Sequence, residues 1–159
     1  MRKGITVFFS ATGITRKVAE KVARVTGTGL YEIVPEVPYS KADLNWNDKQ
    51  SRSSRETNDP AARPAIQSSL DDFSAYDVIY LGFPIWWYRE PKIIDTFLES
   101  ENLSEKTIIP FVTSGSSPIG DTVTYLKQIA PSADIRDGKR FTASVTEDEL
   151  RDWIAGKSV

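Results

Sequence analysis

Two short runs of β-favouring apolar residues, Ile5 to Phe9 and Asp77 to Phe83, lack the apolar–polar alternation of a half-exposed strand. A strand that is apolar at successive positions must be covered on both faces, which is the condition of strands inside a parallel sheet. Each run leads through a loop into a helical stripe. Val18, Ala19, Val22 and Ala23 follow the first, and Ile94, Phe97 and Leu98 follow the second, with Pro91 where a first helical turn begins. Repeated strand, loop and helix predict a parallel sheet with right-handed crossovers and helices on both faces.

The rest of the chain extends that pattern. Gly27 and Gly29 stop the first helix, and Tyr31 to Val34 reads as a second strand, shortened by Pro35 and Pro38. Thr107 to Thr113 reads as a fourth strand, Thr122 to Ile129 as a helix, and Ile135 to Thr142 as a fifth strand that Asp137-Gly138 could break. Thr146 caps a last helix, with Glu149 completing a capping box and Leu150, Trp153 and Ile154 facing inward. Ile66, Leu70 and Phe73 outline a short helix before the third strand. Between Glu36 and Pro64 the chain is polar and aperiodic, too long for an ordinary connection, and is expected to be a functional or packed excursion. Five strands in this alternation fit the order 2-1-3-4-5, which opens a ligand crevice between strands one and three at their carboxyl ends. The loops after strands one, three and four would build it.

Composition narrows the chemistry. The 159 residues suit one compact domain, residues 1–159, and 40% of them are hydrophobic, enough for a core. Cysteine and histidine are absent, which removes disulfides, thiolate nucleophiles, imidazole bases and almost every zinc or iron–sulfur site. A net charge of −2, spread along the chain, offers no field to attract nucleic acid or a membrane surface. The apolar stretch Ile5 to Phe9 is too short for a signal sequence, and no stretch reaches membrane-spanning length, so a soluble cytoplasmic protein is expected.

Chemistry then falls to the loops. Ser10-Ala11-Thr12-Gly13-Ile14-Thr15 places hydroxyls and a glycine directly before a helix, a combination that can cradle a phosphate with N–H and hydroxyl donors. Taken alone, the motif is equally that of a capped helix. It is not a nucleoside-triphosphate loop, because Ile14 and Thr15 stand where Lys and Ser/Thr are needed. Gly27-Thr28-Gly29 precedes a strand rather than a helix, so it is not a dinucleotide fingerprint. Phe8, Phe9 and Ser10 end the first strand where a phosphorylation receiver would carry acids.

After the third strand, Pro84-Ile85-Trp86-Trp87-Tyr88-Arg89-Glu90-Pro91 sets three large aromatics in a row. A loop cannot bury all three, and their flat faces suit stacking on a planar heterocycle. One tryptophan is expected to anchor the loop from beneath, and the residues leave open which. After the fourth strand, Thr113-Ser114-Gly115-Ser116-Ser117-Pro118-Ile119-Gly120-Asp121 is small and turn-rich, with amides able to approach a ring edge.

These residues resemble the flavodoxins, and within them the flavodoxin-like proteins that carry Trp-Trp after the third strand. The likeness covers essentially the whole chain. Ser10-x-Thr12-Gly13-x-Thr15 is similar to the family's phosphate loop, Pro84-Ile85-Trp86-Trp87 to its first ring-flanking loop and Thr113-Ser114-Gly115 to its second. Asp43 to Asp48 and Arg63-Pro64 also resemble that subgroup. The resemblance implies a flavodoxin-like three-layer α/β/α sandwich with a five-stranded parallel sheet; flavodoxin with flavin mononucleotide (FMN) is the type example of its crevice rule. It implies FMN held by its phosphate in Ser10 to Thr15. Its ring would lie between Pro84, Ile85, Trp86, Trp87 and Tyr88 on one side and Thr113, Ser114, Gly115, Ser116 and Gly120 on the other.

The flavin would carry the redox chemistry, so no catalytic side chain is required. An electron carrier serving redox partner proteins or a small acceptor is expected, as a monomer or weak dimer. A small quinone or nitro-compound reductase fed by NAD(P)H is the alternative, and a flavin-free interaction domain a third. Flavodoxins are usually strongly acidic, whereas this chain has a charge of −2, Arg89 in the ring loop and Tyr88 where a small residue would follow the tryptophans. A cation there would ease flavin reduction.

Overall fold

The computed structural model describes residues 3–67 and 73–157. Strands β1 (Gly4–Phe8), β2 (Gly29–Glu32), β3 (Val78–Pro84), β4 (Thr107–Thr113), β5 (Asp134–Ile135) and β6 (Lys139–Phe141) form one sheet in the order β2-β1-β3-β4-β5, with β6 also on β4. Every named pairing is parallel. Helices α1 (Ile14–Thr26), α2 (Arg52–Asn58), α3 (Lys92–Ser100), α4 (Thr122–Ile129) and α5 (Glu147–Ala155) connect and follow them.

Because successive side chains of a strand leave opposite faces, the unalternating runs build two cores at once. Ile5, Val7, Ile79, Leu81, Ile108 and Val112 face Ile94, Phe97 and Leu126 of α3 and α4. Phe8, Val78, Tyr80, Ile109 and Phe111 face Val18, Val22, Leu150 and Trp153 of α1 and α5. The result is the expected three-layer α/β/α sandwich. Its last helix is capped as expected, with the Thr146 hydroxyl accepting from the Glu149 N–H at 3.1 Å.

Three expectations need amendment. The sheet has six strands, because the expected fifth strand is broken into β5 and β6. Ile108 accepts from the Arg136 N–H on this edge of β4, so Pro110, two residues on, shows the same edge a position with no N–H to donate. The ladder lapses there, at the Asp137-Gly138 dipeptide, and resumes at Phe111 opposite Lys139. The second strand begins and ends two residues earlier than its apolar pattern indicates. Helix α2 was not legible: it has no apolar stripe, and is held by the Ser51 cap, the Arg52–Glu56 pair at 2.9 Å and burial of Ser53 and Ser54. The helix expected across Ile66, Leu70 and Phe73 centres on residues outside the described ones; Ile66 makes an antiparallel bridge to Pro35, and Phe73 packs edge-on to Tyr31 and Phe97.

Candidate functional site

The first loop leaves β1 at the carboxyl edge of the sheet, where the Phe9 N–H still donates to the Gly82 carbonyl at 3.0 Å. The Ser10 hydroxyl accepts from the Gly13 N–H at 3.0 Å and folds the loop back on itself. Gly13 is the residue before α1, with φ +93°, and nothing lies within 4 Å of where its Cβ would be. A helix capped by a residue without a side chain has no hydroxyl cap, so the capping reading of this motif does not hold. The first N–H groups of this thirteen-residue helix therefore open toward the loop. No acid stands in its first turn to compete with an anion, and Arg16 is engaged by Glu32 at 2.6 Å. Thr12 and Ile14 are exposed, Ala11 is half-buried against the core, and Thr15 is buried with its hydroxyl 2.7 Å from that of Thr113.

The second loop is a hairpin turn. Trp86 and Arg89 exchange backbone hydrogen bonds at 3.0 and 3.3 Å, and the two residues between them, Trp87 and Tyr88, have φ +50° and +67°. Positive φ at both central positions is the signature of a type I′ turn, which ordinarily uses Asn-Gly. Bulky residues held so are strained, and strain of this kind persists only where the surroundings impose it. Trp86 is the anchoring tryptophan: its ring stands edge-on to Phe9 at 5.7 Å and to Tyr39 at 5.3 Å. Trp87 and Tyr88 are 37% and 69% exposed, so the turn presents two aromatic side chains to solvent.

The third loop is strapped from the side. Arg140, on β6, donates from Nε to the Ser114 hydroxyl at 2.8 Å and from Nη2 to the carbonyls of Ser114 and Gly115 at 3.0 and 2.6 Å. The Ser114 hydroxyl in turn donates to the Ser117 carbonyl. Gly115, Ser116 and Gly120 are exposed, and Gly120 turns the chain toward α4 with φ +53°. Arg140 carries no signal in the sequence, because its role depends on β6 pairing with β4 some 25 residues from the loop it holds.

All three loops meet at Thr113. Its hydroxyl bonds Thr15, its carbonyl accepts from the Ile85 N–H at 3.0 Å, and in the sheet it lies opposite Pro84. The polar excursion comes to the same edge. Tyr39 packs on Phe9 and Trp86, lies under the Arg52 guanidinium at 3.8 Å and donates to Glu56 at 2.5 Å. Burial and the Glu56 carboxylate hold its phenol well above the usual range.

Behind the aromatic turn lies a buried group of charges that the sequence did not disclose. Arg89 turns inward to Glu90 at 3.0 Å and over the Tyr125 ring at 4.2 Å. Asp95, fully buried, has Arg89 and Lys92 at 3.9 Å and Arg63 at 4.0 Å. Neither Asp95 oxygen nor Glu90 Oε1 has a conventional donor. Burial, together with the neighbouring Glu90 carboxyl, pushes the Asp95 pKa up to about 8. Burial lowers that of Lys92. The charge of Arg89 is thus spent inside the protein, which corrects the expectation of a cation offered to the crevice.

Among the described residues no cluster of His, Cys, Asp or Glu could hold a metal ion, and no helix is long and apolar enough to cross a membrane. A family model described as flavodoxin matches residues 3–157. Among solved structures, proteins described as flavoproteins from Bacteroides eggerthii DSM 20697 and Bacteroides uniformis ATCC 8492 are 44% and 42% identical to the chain, with TM-scores of 0.95 and 0.93. The first comparison covers 100% of this chain and 99% of the other, the second 97% and 98%. A flavoprotein of Lactobacillus acidophilus NCFM, solved in complex with FMN, shares the fold at 22% identity and TM-score 0.72 over 97% of this chain and 99% of that one. No curated protein matches the chain. With the doubly wound order, the three loops gathered at Thr113 and a family match from residue 3 to residue 157, the chain belongs to the flavodoxin family.

Proposed function

We propose that the chain binds FMN in the crevice between its three loops and works as an electron carrier for redox partner proteins or a small acceptor. The observation that carries the reading is the convergence on Thr113 of an open helix start, an aromatic turn and an amide-rich loop. The residues fit the group chemically: N–H donors and the exposed Thr12 hydroxyl suit a phosphate, and exposed Trp87 and Tyr88 suit a flat ring. A family relative solved with FMN supports the choice of flavin. Bound there, the flavin supplies one- and two-electron chemistry. The chain's own residues do the rest. Gly13 leaves room for an anion at the helix start, Trp86 fixes the turn, and Thr15 and Thr113 tie the phosphate loop to the ring loops.

The test is titration of apoprotein with FMN and with riboflavin, followed by flavin fluorescence and visible absorption. Quenched FMN bound at least tenfold more tightly than riboflavin is expected, and Thr12→Val should reduce FMN affinity alone. Equal affinity for both flavins overturns the phosphate loop, and binding of neither overturns the reading. Steady NAD(P)H oxidation by the loaded protein with a quinone and no added reductase would make it a reductase instead.

A further inference from the structure

Arg140 is a cation fixed against the third loop from outside it. Its guanidinium grips two successive carbonyls, those of Ser114 and Gly115, as well as the Ser114 hydroxyl. In a trans peptide the C=O and the following N–H point in opposite directions. Drawing those two carbonyls toward β6 therefore turns the N–H groups of Gly115 and Ser116 away from it. β6 lies on the side of β4 remote from β3, so the freed N–H groups turn back toward β3 and its aromatic turn. Among the described residues neither N–H has an acceptor within the chain. Arg140 makes no ion pair among the described residues, and its hydrogen bonds go to the Ser114 hydroxyl and the two carbonyls.

We propose that Arg140 is a positioning residue for the flavin ring: it aims the Gly115 and Ser116 amides at the acceptor edge of the isoalloxazine and places an uncompensated positive charge behind them. The inference rests on the FMN reading. A planar five-donor fork is needed to hold two carbonyls and a hydroxyl at once, and a lysine ammonium cannot reproduce that geometry. Donors and charge fixed at a ring edge favour the electron-rich, reduced flavin over the oxidised one.

The experiment compares wild type, Arg140→Lys, Arg140→Met and, as a milder loss, Ser114→Ala. FMN and riboflavin affinities, the midpoint potential of the bound flavin and the N–H residual dipolar couplings of Gly115 and Ser116, which report the direction of each N–H bond, are measured. Arg140→Met is expected to weaken FMN and riboflavin by the same factor, on the order of tenfold for loss of charge-assisted hydrogen bonds. It should also make the potential more negative and change the N–H residual dipolar couplings of both amides in the apoprotein, because the peptides that Arg140 holds are then free to reorient. Arg140→Lys should keep most of the potential and lose the affinity, and Ser114→Ala should fall between wild type and Arg140→Met. Loss of FMN binding with riboflavin unaffected would place Arg140 at the phosphate and overturn the proposal. Unchanged affinities, an unchanged potential in Arg140→Met, or full rescue of affinity by lysine overturn it too. If wild type binds neither flavin, the FMN reading fails first. The N–H dipolar couplings of the apoprotein then still decide whether Arg140 aims these amides, and unchanged couplings in Arg140→Met would refute that as well.

Discussion

Asp95 and Glu90 are both essentially excluded from water, on α3 and just before it, and three cations near Asp95 do not supply its oxygens with hydrogen bonds. The folded protein holds a proton on Asp95 up to a pKa of about 8, whereas the unfolded chain releases it near 3.8. Between those values the folded state binds more protons than the unfolded one, so stability falls as pH rises, by at most about 1.4 kcal/mol per pH unit. The contribution is complete below the unfolded pKa and gone above the folded one. Urea unfolding from pH 5 to pH 9 should show that decline, and Asp95→Asn, neutral throughout, should flatten it; an identical slope in the variant would show that another group is responsible. Gly82 gives a second residue-scale expectation. A Cβ there would lie 2.2 Å from the ring of buried Phe111 on the neighbouring strand, and that ring has no space to yield. Gly82→Ala should cost about 1–3 kcal/mol by overpacking, read from the denaturation midpoint. The sequence marks Gly82 only as an interruption in an apolar run; its reason is a ring brought across from β4.

At the scale of elements, the turn Trp86 to Arg89 trades stability for display. Tyr88 is mostly exposed and held at positive φ, so Tyr88→Gly relieves strain while losing little burial. The variant should be more stable by about 1 kcal/mol in thermal melts. If Tyr88 contacts the flavin, the same variant should bind FMN less tightly, by up to roughly tenfold, the worth of one aromatic contact. A gain in both stability and affinity would show that the strain serves something else. The elements also show where sequence patterns fail. β1, β3, β4 and the stripes of α1 and α3 were legible because burial on a fixed face imposes a period. α2 had no period to read: its buried side chains are serines, and its cation rests on Tyr39. The break between β5 and β6 was visible as Asp137-Gly138, but its cause lies across the sheet at Pro110.

For the whole molecule, a ligand that bridges three loops on one sheet edge should stabilise the fold by mass action. FMN at a hundred times its Kd should add about 2.7 kcal/mol and raise Tm by about 5–10 °C for a chain of this size, with riboflavin giving less at equal concentration. No shift in differential scanning calorimetry would remove FMN as the natural occupant. The sequence by itself determined the alternation of strands and helices, the two-sided core, the absence of thiol and imidazole chemistry and the three loops that carry the family likeness, because each of these is a local pattern or a count. Only the tertiary structure decided that Trp86 is the anchor and Trp87 and Tyr88 the display. The same holds for the inward turn of Arg89, the burial of Asp95 beside Glu90, and the strap of Arg140 on the third loop. Those are contacts between residues far apart in the chain, and no local period encodes them; they exist because the order β2-β1-β3-β4-β5 brings the strand ends to one edge and sets β6 beside it.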